Sequence, residues 1–136
     1  MIRRVTFTVL GRPAPQGSMR SLGKFMKCDN PNTMPYRQAV GWSALDARTK
    51  TGIHDVFAAR HVPVLLGLVF YFAPPQKMPK GRTLPAVKPD LDKLCRSVFD
   101  ACKGILWVDD GQIVEMDRPR KLYGVPERTE ITVALL

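Results

Sequence analysis

Residues 88–110, KPDLDKLCRSVFDACKGILWVDD, hold five aspartates inside a chain that carries 21 Lys and Arg against 12 Asp and Glu. Asp90 and Asp92 form one pair, and Asp109 and Asp110 form another. Hard divalent cations bind oxygen, and Mg²⁺ at a phosphate site is held by one or two carboxylates with phosphate and water completing its shell. Such an ion polarises a phosphodiester, helps deprotonate the attacking water and stabilises the leaving oxygen. Acid set within a basic surface therefore suits metal-dependent hydrolysis of a polyanion. The bases hold the polymer and the aspartates hold the metal.

Each acid also has a purely structural account. Asp90 can cap a helix, Asp92 favours the positive end of that helix and can pair with Arg96 four residues on, and Asp109-Asp110-Gly111 reads as a turn. These accounts leave the combination unexplained. Two aspartates open a helix after a Pro-rich basic loop, and two more lie in a turn with room to fold back beside it. The spacing leaves open whether the turn reaches the start of the helix.

The helix itself is well marked. Leu91, Leu94, Cys95, Val98, Phe99 and Cys102 recur at i, i+3, i+4, i+7, i+8 and i+11, an apolar stripe for an amphipathic helix over about 90–103. Pro89 biases Lys88 away from helical angles and Gly104 fits the position just past the end. VTFTVL (5–10) alternates as a half-buried strand, and in 62–72 Val64, Leu66, Leu68, Phe70 and Phe72 face one way. Between these, 11–32 is dense in Gly, Pro, Ser and Asn and is expected to be a long, basic, mobile loop. A helix is expected over about 33–50, with Thr33 as its cap and Tyr36, Ala39, Val40 and Ala44 on its inner side. Trp42 and Phe25 read as packing groups. The loop 73–89 has too many prolines for regular structure, and 112–118 and 128–135 read as strands around a turn at Tyr123–Gly124. The expected architecture is one α+β domain spanning residues 1–136, with a mixed, mostly antiparallel sheet and two main helices.

Composition narrows the partners. A net charge of +9 and a pI near 9.9 favour polyanions, nucleic acid first. No apolar run reaches the roughly 18–20 residues of a membrane span, and MIRRVTFTVLG lacks the h-region of a secretion signal, so a soluble cytoplasmic protein is expected. Cys28, Cys95 and Cys102 show no C-x-x-C spacing, and His54 and His61 have no ligand cluster beside them. Neither set suggests zinc.

The stretch KPDLDKLCRSVFDACKGILWVDDGQIVEMDRPR resembles the signature of the RusA family of Holliday-junction resolvases. That signature has an Asp-x-Asp at a helix start, a basic residue four further on, a D-A-L-like helix end and W-x-D-D-x-Q-[IV]. The opening strand followed by PAPQGS and a basic loop is similar in layout to bacterial and phage members. The resemblance implies that Asp90, Asp92 and Asp110 bind Mg²⁺, with Mn²⁺ a possible substitute, and that Asp109 supports them. It also implies a homodimer that cuts a four-way DNA junction symmetrically, in the bacterial cytoplasm or in that of a phage host. Arg96 stands where the family usually has a catalytic lysine, and Lys93 where it usually has asparagine. Arginine does not readily give up its proton, so Arg96 suits a phosphate clamp or a stabiliser of transition-state charge.

The competing reading is a non-catalytic nucleic-acid-binding module with a degenerate acidic site. In both readings Arg12, Arg20, Lys24 and Lys27 in the first loop, and Lys80, Arg82, Lys88 and Lys93 near the acids, are the candidate DNA contacts. Phosphates held this way release counterions, so log affinity is expected to fall linearly with log salt at a slope near −0.9 per neutralised phosphate on duplex arms. A Lys24→Ala/Lys27→Ala variant titrated at several salt concentrations is expected to show a slope shallower by about two of these increments, whatever the junction sequence.

Overall fold

A computed structural model describes residues 4–17, 19–22, 25–28, 30–52 and 59–136, with 19–22 and 25–28 described as backbone. Its centre is strand β4, Val64–Phe72, once the strands are numbered along the chain: β1 Arg4–Leu10, β2 Met19–Leu22, β3 Phe25–Cys28, β5 Ile113–Tyr123 and β6 Arg128–Leu135. Val64, Leu66, Leu68, Phe70 and Phe72 are all buried, as their alternation predicts. β4 pairs antiparallel with β6 on one side and parallel with β5 on the other, and β1 pairs antiparallel beyond β6. The sheet order is β1-β6-β4-β5. The architecture is the expected α+β one, a mixed sheet with mostly antiparallel pairs.

Two helices are described, α1 at Thr33–Thr51 and α2 at Leu91–Cys102. α1 buries Tyr36, Val40, Ala44 and Ala47 and packs on β1 and α2. α2 buries Leu94, Ser97, Val98 and Cys102 in the same core, which Leu106, Trp107, Ile131 and Val133 complete. Burial pushes the Cys95 thiol up to about 11 and the Cys102 thiol up to about 12, which marks both as packing groups and not nucleophiles. His61 is exposed in a turn, whereas His54 and the side chains of Cys28 and Phe25 lie outside the described residues. Among the described residues no helix is long and apolar enough to cross a membrane.

Several expectations are corrected. The stretch 11–32 is not loop throughout: β2 and β3 pair antiparallel within it, Met19 opposite Cys28. Residues 11–17 are tethered, with the Gly11 N–H donating to the Glu127 carbonyl and the Gln16 N–H to the Lys93 carbonyl, each at 3.0 Å. Asn32 holds the cap position of α1, and Thr33 lies within the helix, where its hydroxyl donates to the Pro15 carbonyl at 2.6 Å. Trp42 is 71% exposed on α1 and does not pack in the core. β5 continues to Tyr123, well past the 118 at which Pro119 suggests an end. Among the described residues only β4 pairs with it, so the missing proline N–H can face away from the ladder, and the register shifts beside it, where Arg118 has φ 45°. The turn after β5 leads to β6 on the far side of β4, so the two strands are not neighbours.

One polar contact fixes α1 against the sheet. The Tyr36 hydroxyl and the Thr129 hydroxyl of β6 are 2.5 Å apart and both residues are buried. Tyr36→Phe leaves the Thr129 oxygen without its partner, an expected loss of about 1–3 kcal/mol. Adding Thr129→Val is expected to recover part of that loss, because no orphaned hydroxyl then remains. Urea denaturation of the two variants and the parent checks both outcomes.

Candidate active site

The segment entering α2 is held by a residue the sequence reading missed. Lys121 of β5 sends its Nζ to the carbonyls of Val87 and Pro89, at 2.6 and 2.8 Å. Nothing in the local sequence connects a lysine on a distant strand to this turn. Pairing of β5 with β4 is what brings it there, so the edge of the sheet sets where the first aspartates begin.

Asp90 occupies the cap position of α2 with extended backbone angles, but its side chain makes no capping hydrogen bond. Its Oδ2 instead lies 3.7 Å from the Lys93 Nζ, and the carboxylate is about half exposed. Asp92, in the first turn, is exposed, as is Arg96 one turn on. The expected pairing of Asp92 with Arg96 does not form among the described contacts. Both side chains face solvent, and the helix dipole favours negative charge at Asp92.

The second pair of acids is built by a clip. Trp107 is buried edge-on against Phe99, with ring centroids 6.0 Å apart, and its Nε1 donates to Asp110 Oδ1 at 2.9 Å. Buried Gln112 accepts with Oε1 from the N–H groups of Val108 and Asp109, at 2.8 and 3.0 Å. Its Nε2 donates to the carbonyls of Ala59 and Val62, at 2.8 and 3.1 Å. Asp109 caps the short 3₁₀ turn 110–112, its Oδ1 accepting from the Gly111 N–H at 3.4 Å. The W-x-D-D-x-Q pattern is therefore a fastening: Trp107 and Gln112 hold the turn that presents Asp109 and Asp110.

The two pairs of acids stand toward opposite ends of α2. Asp90 and Asp92 open it, whereas Asp110 follows its end, bonded to Trp107 and close enough to Cys102 to add to the rise of that thiol's pKa. A helix of 12 residues is about 18 Å long at 1.5 Å per residue. Among the described residues no three His, Cys, Asp or Glu side chains are gathered as a metal site. The two pairs of acids are therefore not gathered into one cluster among the described residues.

The basic candidates divide. Lys80 and Lys88 are exposed in the loop before α2, Arg82 there is half-buried, and none of the three has an ion-pair partner among the described residues. Lys93 is shared with Asp90. Arg12 is already engaged: its guanidinium contacts Glu127 at 2.7 Å and lies 5.1 Å from the centre of the Phe72 ring, so much of its charge is offset within the fold. Lys24 and the side chains of Arg20 and Lys27 lie outside the described residues.

A model of the family described as Endodeoxyribonuclease RusA matches residues 11–134 of the chain. A protein of Bacillus subtilis (strain 168), described as uncharacterized protein YqaN, is 29% identical over 143 residues, which cover 95% of this chain and 94% of that protein.

Gln112→Met keeps the length of the side chain and removes all four of its hydrogen bonds. With several buried backbone groups left unpaired at about 1–3 kcal/mol each, the variant is expected to lose about 3 kcal/mol or more. Urea denaturation measures the loss. Hydrogen exchange is expected to speed up at the Val108 and Asp109 amides.

Proposed function

Because the chain belongs to the RusA endodeoxyribonuclease family, we propose that it resolves four-way DNA junctions by metal-dependent hydrolysis, as a homodimer whose two acidic sites are each shared between chains. The observation that carries this reading is the placement of the acids: Asp92 exposed and Asp90 held only by a 3.7 Å contact with Lys93 at the start of α2, and Asp110 fixed past its end. Facing two such helices across a two-fold axis brings the first pair of one chain to Asp110 of the partner subunit. The same axis relates two sites on opposite strands of a symmetric junction.

Mg²⁺, or Mn²⁺ in its place, would supply charge neutralisation and water activation there. The chain's own groups do the rest. Asp90 and Asp92 offer oxygen ligands, and Asp109 adds negative charge beside Asp110. Arg96, one turn beyond Asp92, is placed to clamp the phosphate or to stabilise charge that develops on it. Lys80, Arg82 and Lys88 lead DNA toward the helix start. The setting is the bacterial cytoplasm, that of the host if the gene is phage-borne. A non-catalytic junction-binding module is the alternative that the separation of the acids within one chain would favour, and cutting of a synthetic junction in Mg²⁺ decides against it.

Asp92→Asn and Asp110→Asn each preserve size and remove ligand charge, so each homodimer is expected to bind a mobile junction and fail to cut it. A heterodimer of the two, purified through different tags, is expected to regain nicking of one strand, because one of its sites then holds no substituted residue. A heterodimer as inactive as its parents would show that each site lies within a single chain.

Arg96→Ala is expected to slow single-turnover cleavage by on the order of a hundredfold with junction affinity nearly unchanged, and Arg96→Lys to remain active. A residue with only a structural part would shift the urea midpoint and leave the chemistry alone.

A further inference from the structure

Residues 10–17, the first turns of α1 and the start of α2 line a half-open cavity of about 750 Å³ that reaches Asp90. This volume lies within the roughly 300–1,000 Å³ of small-molecule sites. Its lining mixes two kinds of surface. Pro13, Pro15 and Pro89 give flat apolar walls; of the three carboxamides there, Asn30 accepts from the Asn32 N–H at 2.9 Å, which leaves the pair Gln16 and Asn32. Neither carboxamide makes a side-chain hydrogen bond among the described residues: the contacts of Gln16 and Asn32 there run through their backbone, and Asn32 leaves α1 uncapped by its side chain. Lys88 and Lys93 line the cavity together with Asp90.

Each of these features selects the same ligand chemistry. A carboxamide offers one donor edge and one acceptor edge, the pattern that pairs with the edge of a nucleobase. Apolar walls suit the faces of an aromatic ring, and the lysines suit a phosphate on the strand that passes Asp90. An apolar ligand would leave the carboxamides unpaired. We infer that the cavity receives one unstacked nucleotide of the DNA strand lying at Asp90, and that Gln16 and Asn32 read its base. This rests on the endonuclease reading above and adds to it a source of sequence preference. A base inside a continuous duplex must be unstacked to enter, and that cost is least where the base is already unpaired, so the cavity also favours a branch point over linear DNA.

The test uses the full-length protein and a set of four-way junctions that differ only in the base beside the cut phosphate. A second set carries 2-aminopurine there, which brightens when it leaves the stack. The parent is expected to brighten the probe on binding, and to cut the best and worst bases at rates that differ by on the order of tenfold. Gln16→Ala/Asn32→Ala is expected to bind the junction as the parent does and to cut all four bases within about twofold of one another. Ala39→Phe, which fills the cavity from α1, is expected to abolish the brightening while junction binding persists. The inference is overturned if the double variant keeps the parent's ranking of bases, or if the parent neither brightens the probe nor ranks the bases. A parent that cuts no branched DNA in Mg²⁺ defeats the endonuclease reading itself, and that result is separate from a parent that cuts every base alike.

Discussion

The parallel pairing of β4 with β5 governs the rest of the structure. Antiparallel strands can be joined by a tight turn, but a parallel neighbour is reached only by a connection that travels back along the sheet, most often a helix. Here that connection is residues 73–112, with α2 as its returning limb. The helix must start near the end of β4 and finish near the beginning of β5. Whatever the sequence places at its two ends is therefore held apart by the helix length. The first aspartates and the second pair fall at those two ends, so their separation follows from strand direction.

Separating them also solves an electrostatic problem. Carboxylates crowded together without a cation repel one another, and in a folded monomer their neutralisation would depend wholly on bound metal. In this fold Asp90 has Lys93, Asp110 has the Trp107 N–H and Asp109 has the Gly111 N–H. Each of these three acids has a contact of its own within the chain. In the proposed homodimer the cost of bringing like charges close would fall on assembly, where a cation and DNA can offset it.

Much of this was legible in the sequence, for identifiable reasons. β4 and α2 were readable because burial on one face imposes period 2 on Val64 to Phe72 and period 3.6 on Leu91 to Cys102. β2 and β3 were hidden because MRSL and FMKC are short and lie in Gly- and Ser-bearing surroundings that resemble loop. Pro119 disguised the length of β5, since a proline excludes a central strand but not an edge one. Trp42 misled because aromatic size suggests burial, whereas its place on α1 faces water. At the site, residue types and the W-x-D-D-x-Q clip were readable. Distance was not, because spacing along the chain does not say which end of a helix a later turn will meet. Lys121 and the cavity beside Asp90 depend on the tertiary fold alone, and no local pattern announces them.

The contrast between the two tryptophans gives the protein a built-in optical report. Trp42 is open to solvent, whereas Trp107 is 1% exposed and bonded to Asp110. A soluble quencher such as iodide would silence the first and leave the second. The remaining emission would then come from the indole that touches the acidic turn. Its wavelength and intensity would follow the state of that turn on addition of DNA or a divalent cation, without any label attached to the protein.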